Sequence, residues 1–447
     1  MRLVILLMTV VIASNVLGQQ KSNESNPAIR VAAVSFLPQK FDLAGNADRL
    51  ERAFRIAKKG GAKIAVGPEG ALDGYVVNEI IAREVPAERM NEVAVPIDDP
   101  IIQRFQSLAR ELEMCLVFGF AERIDDDVFN CAVFIDHHGT VCGKYHKMQF
   151  AEGYDPSWWF NRLGRNSRAF DTPYGRCGIM ICNDRWNPQL ARIPVLDGAQ
   201  FLIIPSFGSR SVSQDQAVLS RGKENQVPVI EANVGVTLVV NQGEITAVDR
   251  HEEGVTFGEV TIPSTIKSKV SQRDATEREF LAWRATEMQR RWQRKRQRLH
   301  EAAIDALSKL GARIRKDDTG RVVEVNLQET KAQDSDLIYV ARMSDLRELS
   351  LHRTQLDGPG LVHLRGLSKL EKLFLTDTRI GDRHLSPLRK CRHLKVLGLS
   401  GTNVSNDSLK HLEQLRQLES LFLIGTRVSA PGIQELQRAL PNCEVTH

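Results

Sequence analysis

The 447-residue sequence predicts an α/β protein: a layered α/β domain, then a charged helical linker, then a C-terminal array of short repeats. Three observations carry this reading. Between Ile29 and Pro263, short apolar runs rich in β-branched residues alternate with helical patterns, as buried strands and their covering helices do. Over residues 264–315 the chain turns strongly charged around WRATEMQRRWQRKRQRLH. Over residues 316–447, leucines and threonines recur at a fixed interval of 24 residues, as at Leu346, Leu370, Leu394 and Leu418.

Composition agrees with several domains: 42% of residues are apolar and 26% charged, too hydrophobic for disorder and too long for one small core. The net charge of +5 is small for this length and marks neither nucleic acid nor an anionic membrane as a partner. The first residues, MRLVILLMTVVIASNVLGQQ, place Arg2 before an apolar run from Leu3 to Ala13 and small residues before Gln19. That order predicts a signal peptide over residues 1–18 and an exported protein, periplasmic, in the cell envelope or secreted. The run falls short of the roughly 20 residues that cross a bilayer, and no later segment is long and apolar enough, so no membrane span is expected. Seven cysteines without a CxxC pair are not a disulfide scaffold, and metal-ligand spacing is absent, His137-His138 being an adjacent pair in a turn.

The first domain reads, in order, as the strand IRVAAVSF, a helix near Ala47 to Lys59, the strand AKIAVGPE, the helix IIQRFQSLARELEM, and the strands LVFGFAER, FNCAVFID and VCGKYHK. A Trp-rich loop follows. Then come CGIMICND, a helix near Gln189 to Leu196, QFLIIPSF, a helix near Asp215 to Asn225, and the strands VPVIEAN and VTLVVN. The linker suits a solvated, domain-joining helix better than a nucleic-acid surface, because glutamates interleave its arginines; Leu281, Trp283, Met288, Trp292 and Leu299 could form one docking stripe. Each repeat unit has the form LxxLxLxxTxL followed by a second apolar series, the signature of a leucine-rich repeat solenoid with one short strand per unit.

Three chemically able residues stand at strand ends in the first domain: Glu69 in AVGPEGALDGY, Lys147 in GKYHKMQF and Cys182 in IMICNDRW. Each alone has an ordinary structural reading. Together they meet one demand: a thiol attacks an amide carbonyl only as thiolate, so it needs a base and a positive neighbour. Cys182 suits the nucleophile better than Cys177, which still has Gly178 to Ile181 of its strand to follow.

The segments PEGALDGY, FNCAVFIDHHGTVCGKYHK, CGIMICNDRWNP and ENQVPVIEAN together resemble the nitrilase superfamily of carbon-nitrogen hydrolases, over residues 27–263. The resemblance implies a four-layer αββα sandwich, a subunit interface forming a homo-oligomer, and no metal or organic cofactor. It also implies hydrolysis of a small amide or N-carbamoyl substrate, a carbon-nitrogen bond other than a peptide bond, through a cysteine thioester. Glu69 would act as base and acid, Cys182 as nucleophile, and Lys147 with the Asn183 N–H as oxyanion holder. Some members carry a further acid, for which Glu152 and Asp155 both qualify. ICNDRWNP is similar to the cysteine motif of N-carbamoyl amino acid amidohydrolases, and Arg185 would there hold a substrate carboxylate; a structural salt bridge is the other reading. The rival function is a binding or scaffold protein acting through its repeats, with an inactive first domain.

The repeats place Asn326, Ser350, Phe374, Gly398 and Phe422 at equivalent positions on the open face of the short strands. Phe374 and Phe422, with Ile424 nearby, form an apolar patch for a protein partner, or for the linker tryptophans or a second subunit to cover.

Overall fold

The computed structural model describes residues 28–208 and 210–447. The expected signal peptide, residues 1–18, lies outside the described residues. The strands of the first domain are β1 (Ile29–Ser35), β2 (Ile64–Val66), β3 (Cys115–Ile124), β4 (Asp127–Ile135), β5 (Val141–His146), β6 (Phe170–Thr172), β7 (Gly175–Ile179), β8 (Phe201–Ser206), β9 (Val229–Asn233), β10 (Val236–Asn241), β11 (Glu244–Asp249) and β12 (Gly254–Val260). They form two six-stranded sheets, ordered β12-β1-β2-β3-β4-β5 and β11-β10-β9-β8-β7-β6. β12 crosses back to the first sheet and runs antiparallel to β1, with Ile29 opposite Val260.

Helices α1 (Leu43–Lys59) and α3 (Pro100–Leu112) cover the outer face of the first sheet, while α4 (Pro188–Leu196) and α5 (Val212–Asn225) cover the second; the short α2 (Val77–Ile81) lies between α1 and α3 in sequence. The result is four layers: helix, sheet, sheet, helix. Local rules fix the helix starts. Asp42 accepts from the Gly45 N–H, so α1 begins before the expected Ala47, and Asp99 accepts from the Ile101 N–H with Pro100 as the first helical residue of α3. α1 buries Ala47, Leu50, Phe54 and Ala57, and α3 buries Ile102, Phe105, Leu108 and Leu112, the spacing of one helical face. Between the sheets, Val31, Ile64, Val117 and Phe134 meet Ile179, Ile203, Ile230 and Val239 in one core. Such fully buried side chains each contribute about 1.5–3 kcal/mol.

The linker is a single helix, α6 (Val270–Lys309), docked at both ends. Its first half lies on α4 and buries Phe280 in the hydrophobic cluster that includes the second sheet and α4. In the middle, the Met288 carbonyl accepts from the Tyr154 N–H, and Trp292 meets Trp158 edge-on at 4.7 Å between ring centroids. Its last turns place Ala303 and Leu307 in the core of the C-terminal sheet. Trp283 departs from the expected stripe: it is 38% exposed, with the Arg291 guanidinium 5.8 Å from its ring centroid.

The C-terminal sheet runs in sequence order through β13 (Arg313–Lys316), β14 (Val322–Asn326), β15 (Glu348–Ser350), β16 (Lys372–Phe374), β17 (Val396–Gly398), β18 (Ser420–Phe422) and β19 (Glu444–Thr446). β13 is antiparallel to β14. The others are parallel and in strict register, Glu324, Glu348, Lys372, Val396, Ser420 and Glu444 standing side by side. The recurrent threonine has a definite task. The hydroxyls of Thr330, Thr354, Thr378, Thr402 and Thr426 donate to the carbonyls of Leu327, Leu351, Leu375, Leu399 and Leu423 at 2.6–2.7 Å, closing the turn after each strand. Phe374, Gly398 and Phe422 share one row, both rings are half-buried, and Ile424 is 54% exposed. The linker tryptophans do not cover this row: Trp292 is committed to Trp158 and Asp155, and Trp283 to α6 itself.

Candidate active site

Lys147 follows the last residue of β5, and its N–H donates to the Asn130 carbonyl on β4, prolonging the ladder by one residue. This aims its side chain between the sheets. Its Nζ donates to Glu69 Oε1 at 2.6 Å, and both side chains are buried, at 1% and 0% exposure. Glu69 stands in the turn after β2, where its N–H donates to the Ser206 carbonyl. Asn130 Nδ2 donates to the same Oε1 at 2.6 Å, while Oε2 has no partner among the described residues. Burial is the largest influence and works against the Lys147 ammonium, but Glu69 first, then Tyr75, Cys182 and Glu152, together outweigh it and hold the lysine pKa well above its ordinary value. The pair therefore presents one fixed positive charge and one carboxylate oxygen free to take a proton.

Cys182 comes three residues beyond the end of β7 and opens a short 3₁₀ turn, Cys182–Trp186. Its φ is +47°, in the left-handed region that residues with a side chain seldom adopt. Asp184 holds this turn. Its Oδ2 accepts from the Ile181 N–H at 3.0 Å and the Tyr145 hydroxyl at 2.9 Å, and its Oδ1 from the Gln149 N–H at 2.8 Å. One buried carboxyl thus ties the cysteine turn to the segment flanking Lys147. Burial pushes the Asp184 pKa up to about 6.

The Cys182 thiol donates to the Phe207 carbonyl at 3.4 Å and accepts from Arg185 Nη2 at 3.6 Å. Burial first, then the Glu69 carboxylate, pushes its pKa up to about 11; Lys147 and Arg185 pull the other way. At neutral pH the resting group is a thiol, so its proton must leave as the sulfur attacks. Arg185 is buried, with Nη1 bonded to Glu231 and, at 2.8 Å, to Ser206 Oγ. This pairing is the structural salt bridge of the two readings: Glu231 neutralises the guanidinium beneath the cysteine. Tyr75 and Phe207 stack at 5.0 Å beside the thiol, and Lys147 Nζ lies 5.5 Å from the Tyr75 centroid.

Asn183 exchanges hydrogen bonds with Gln149, its Nδ2 donating to the Gln149 carbonyl and its own carbonyl accepting from Gln149 Nε2. Of the two candidate auxiliary acids, Asp155 is occupied by Ser157 and by Trp292 Nε1 at 3.0 Å, whereas the Glu152 charge acts on Lys147 and Tyr75. Among the described residues neither acid makes a hydrogen bond to Glu69, Lys147 or Cys182. Asn130, Asp184, Glu231 and the Tyr75–Phe207 pair complete the site without having been singled out in the sequence. Among the described residues, one group has metal-ligand composition, Glu122, Cys131 and His146; its carboxylate is already shared by Lys144 and His146, the balance of an ion-pair cluster.

Residues 30–267, more than half of the chain, match the carbon-nitrogen hydrolase family. The chain belongs to that family. This carbon-nitrogen hydrolase of the nitrilase superfamily is similar to an N-carbamoylputrescine amidase of Oryza sativa subsp. japonica, 34% identical over 217 residues that make up 47% of this chain and 68% of the relative. It is also similar to a citrullinase of Francisella tularensis, 28% identical over 221 residues, 47% of this chain and 74% of the relative. Among solved structures, an amidase from Nesterenkonia sp. aligns with a TM-score of 0.45 at 22% identity, over 52% of the hydrolase chain and 90% of its own.

Proposed function

We propose that this hydrolase cleaves an N-carbamoyl compound, releasing the amine and leaving the carbamoyl group on Cys182 as a thioester. The observation that carries the reading is the buried Lys147–Glu69 pair, with Glu69 Oε2 unpartnered, beside a thiol held in a strained turn. Cys182 Sγ attacks the ureido carbon as its proton passes to Glu69, and the oxyanion is held by Lys147 and the Asn183 N–H. Glu69 then gives that proton to the departing amine as the C–N bond breaks. A water attacks the thioester carbon and passes a proton to Glu69; the C–S bond breaks, the thiol regains the proton, and carbamate leaves to decompose into ammonia and carbon dioxide. The two relatives support the substrate class, since the compounds their names carry, N-carbamoylputrescine and citrulline, both bear a terminal ureido group. Arg185 acts here as a positioning residue for the thiol. We further propose that the C-terminal array is a leucine-rich repeat solenoid, on the strength of its 24-residue register and threonine turns.

Ammonia release from N-carbamoylputrescine, citrulline and a panel of simple amides tests the reaction, with intact mass after rapid quenching to detect carbamoylated Cys182. Cys182→Ala, Lys147→Ala and Glu69→Gln should each remove most turnover, with losses that do not add. Turnover by Cys182→Ala at the parental rate, or turnover of simple amides alone, would overturn the reading.

A further inference from the structure

Where α6 passes from the catalytic domain to the repeat array, a cleft of about 550 Å³ opens between all three. One wall is apolar, with Ile81, Trp158, Trp292 and Leu299. The other is cationic: Arg83, Arg296, Arg342, Arg365 and Lys390 line it. None of these five forms an ion pair with a carboxylate among the described residues. Arg342 Nη2 donates to the Ala82 carbonyl at 2.9 Å, and Arg83 donates in return to the Ala341 carbonyl, so each guanidinium reaches across the domain boundary to a neutral acceptor. Among the described residues, Arg365 Nε is enclosed without a partner, and Arg296 and Lys390 make no side-chain hydrogen bond. The acids of the lining offset them only in part: Asp155, which is held by Ser157 and Trp292, also feels Arg296, and Glu84 acts on Arg342, while Glu84 and Glu88 are exposed, as Arg83, Arg296 and Lys390 are.

Desolvation at the cleft, then the like charges of Arg342 and Arg296, push the Arg83 pKa down, and desolvation does the same to Arg342. Folding thus gathers five cations and three acids, Glu84, Glu88 and Asp155, around one space, an excess of two positive charges among its lining residues. Guanidinium groups grip phosphate with parallel bonds, and a cleft of this size beside aromatic walls suits a metabolite rather than a bare ion. We propose that this interdomain cleft is a binding site for a small organic dianion, a phosphate monoester with an apolar or aromatic body, separate from the hydrolytic centre. The head would sit among Arg296, Arg342 and Lys390, and the body against Trp292 and Trp158. Ile81, Glu84 and Leu299 also border the smaller groove containing Glu152, so the two spaces adjoin, and neither is lined by the triad.

The test uses the full chain and 1-naphthyl phosphate as probe, followed by tryptophan fluorescence and thermal midpoint at low salt. Saturable quenching with a dissociation constant below about 1 mM and a raised midpoint are expected, with inorganic phosphate and 1-naphthol each binding at least about tenfold more weakly. Arg296→Met combined with Lys390→Met removes two cations that hold nothing in the fold. It should weaken the probe at least about tenfold and leave turnover of the ureido substrate unchanged. Arg365→Gln is the second variant, expected to weaken binding alone. No saturable response up to about 10 mM, or equal binding by wild type and the double variant, would overturn the proposal. Either result is independent of whether the enzyme proves to take ureido substrates.

Discussion

A Cβ placed on Gly119 would stand 2.7 Å from the Cα of Glu69 and 2.7 Å from the Gly70 N. The β3 strand thus backs the glutamate backbone to backbone, and the Lys147–Glu69 geometry depends on a missing side chain two strands away from the lysine. Gly119→Ala should displace residues 68–70, cost about 1–3 kcal/mol of stability and lower kcat more than tenfold. Urea unfolding and steady-state kinetics would check both; a variant with parental kcat would show that the glutamate tolerates the shift.

The raised Cys182 pKa gives a signed expectation for alkylation. Iodoacetamide consumes thiolate, so its rate at Cys182 should climb with pH until about 11. Glu69→Gln removes a charge that raises the thiol pKa, and should speed labelling near pH 8 even as turnover is lost. Lys147→Met removes a charge that lowers it, and should slow labelling. The same raised pKa means the folded protein binds the proton more tightly than the unfolded chain. The stability from the protonated thiol is therefore full below about 9 and lost as pH rises through about 11, a slope absent from Cys182→Ala.

Glu231 neutralises Arg185 under the cysteine turn. Glu231→Gln leaves a buried guanidinium without its counter-charge, and should cost about 3–5 kcal/mol. Because Arg185 touches the Cys182 sulfur rather than open space, surviving activity should show a lower kcat at nearly constant KM, and a shifted pH profile for Cys182 alkylation. A rise in KM confined to carboxylate-bearing substrates would instead restore a direct substrate role for Arg185.

In the C-terminal sheet, Thr378→Val keeps side-chain shape and deletes the bond to the Leu375 carbonyl. The expected loss is about 0.5–1.5 kcal/mol. Thr330→Val, four strands from the last unit, should cost less than its inner counterparts, since Thr330 is only half-buried while Thr354, Thr378 and Thr402 are buried. Urea midpoints of the single variants would establish the order.

The strands that were legible in the sequence are those buried on both faces, such as β8 and β9, which read as mostly apolar runs. β11 and β12 went unread because they are edge strands, β11 alternating exposed and half-buried residues along its whole length. In the site, Glu69, Lys147 and Cys182 stood out because each puts a reactive group where an apolar run stops. Asn130 carried no such mark: its partner is 61 residues away, and an asparagine in a strand signals nothing alone. Two signals were available and physical. Glu231 interrupts the apolar strand VPVIEAN, and an acid in a fully buried strand requires a cation, which Arg185 supplies. Asp184 follows an apolar strand directly into a turn, the place where a carboxylate collects backbone N–H groups.

The family match ends at residue 267, yet Phe280, thirteen residues later on α6, is fully buried in the hydrophobic cluster of the first domain. The stretch shared with relatives and the stretch that must fold together are therefore different lengths. Cutting the gene at the end of the shared stretch would strip a buried phenylalanine from that cluster, at a cost of about 3–5 kcal/mol by analogy with Phe→Ala. The same helix, about 60 Å long at 1.5 Å per residue, also carries Leu307 into the repeat sheet. α6 is thus a shared structural member, and a minimal catalytic fragment has to keep it through Trp292, the last residue with which it grips the Trp-rich loop.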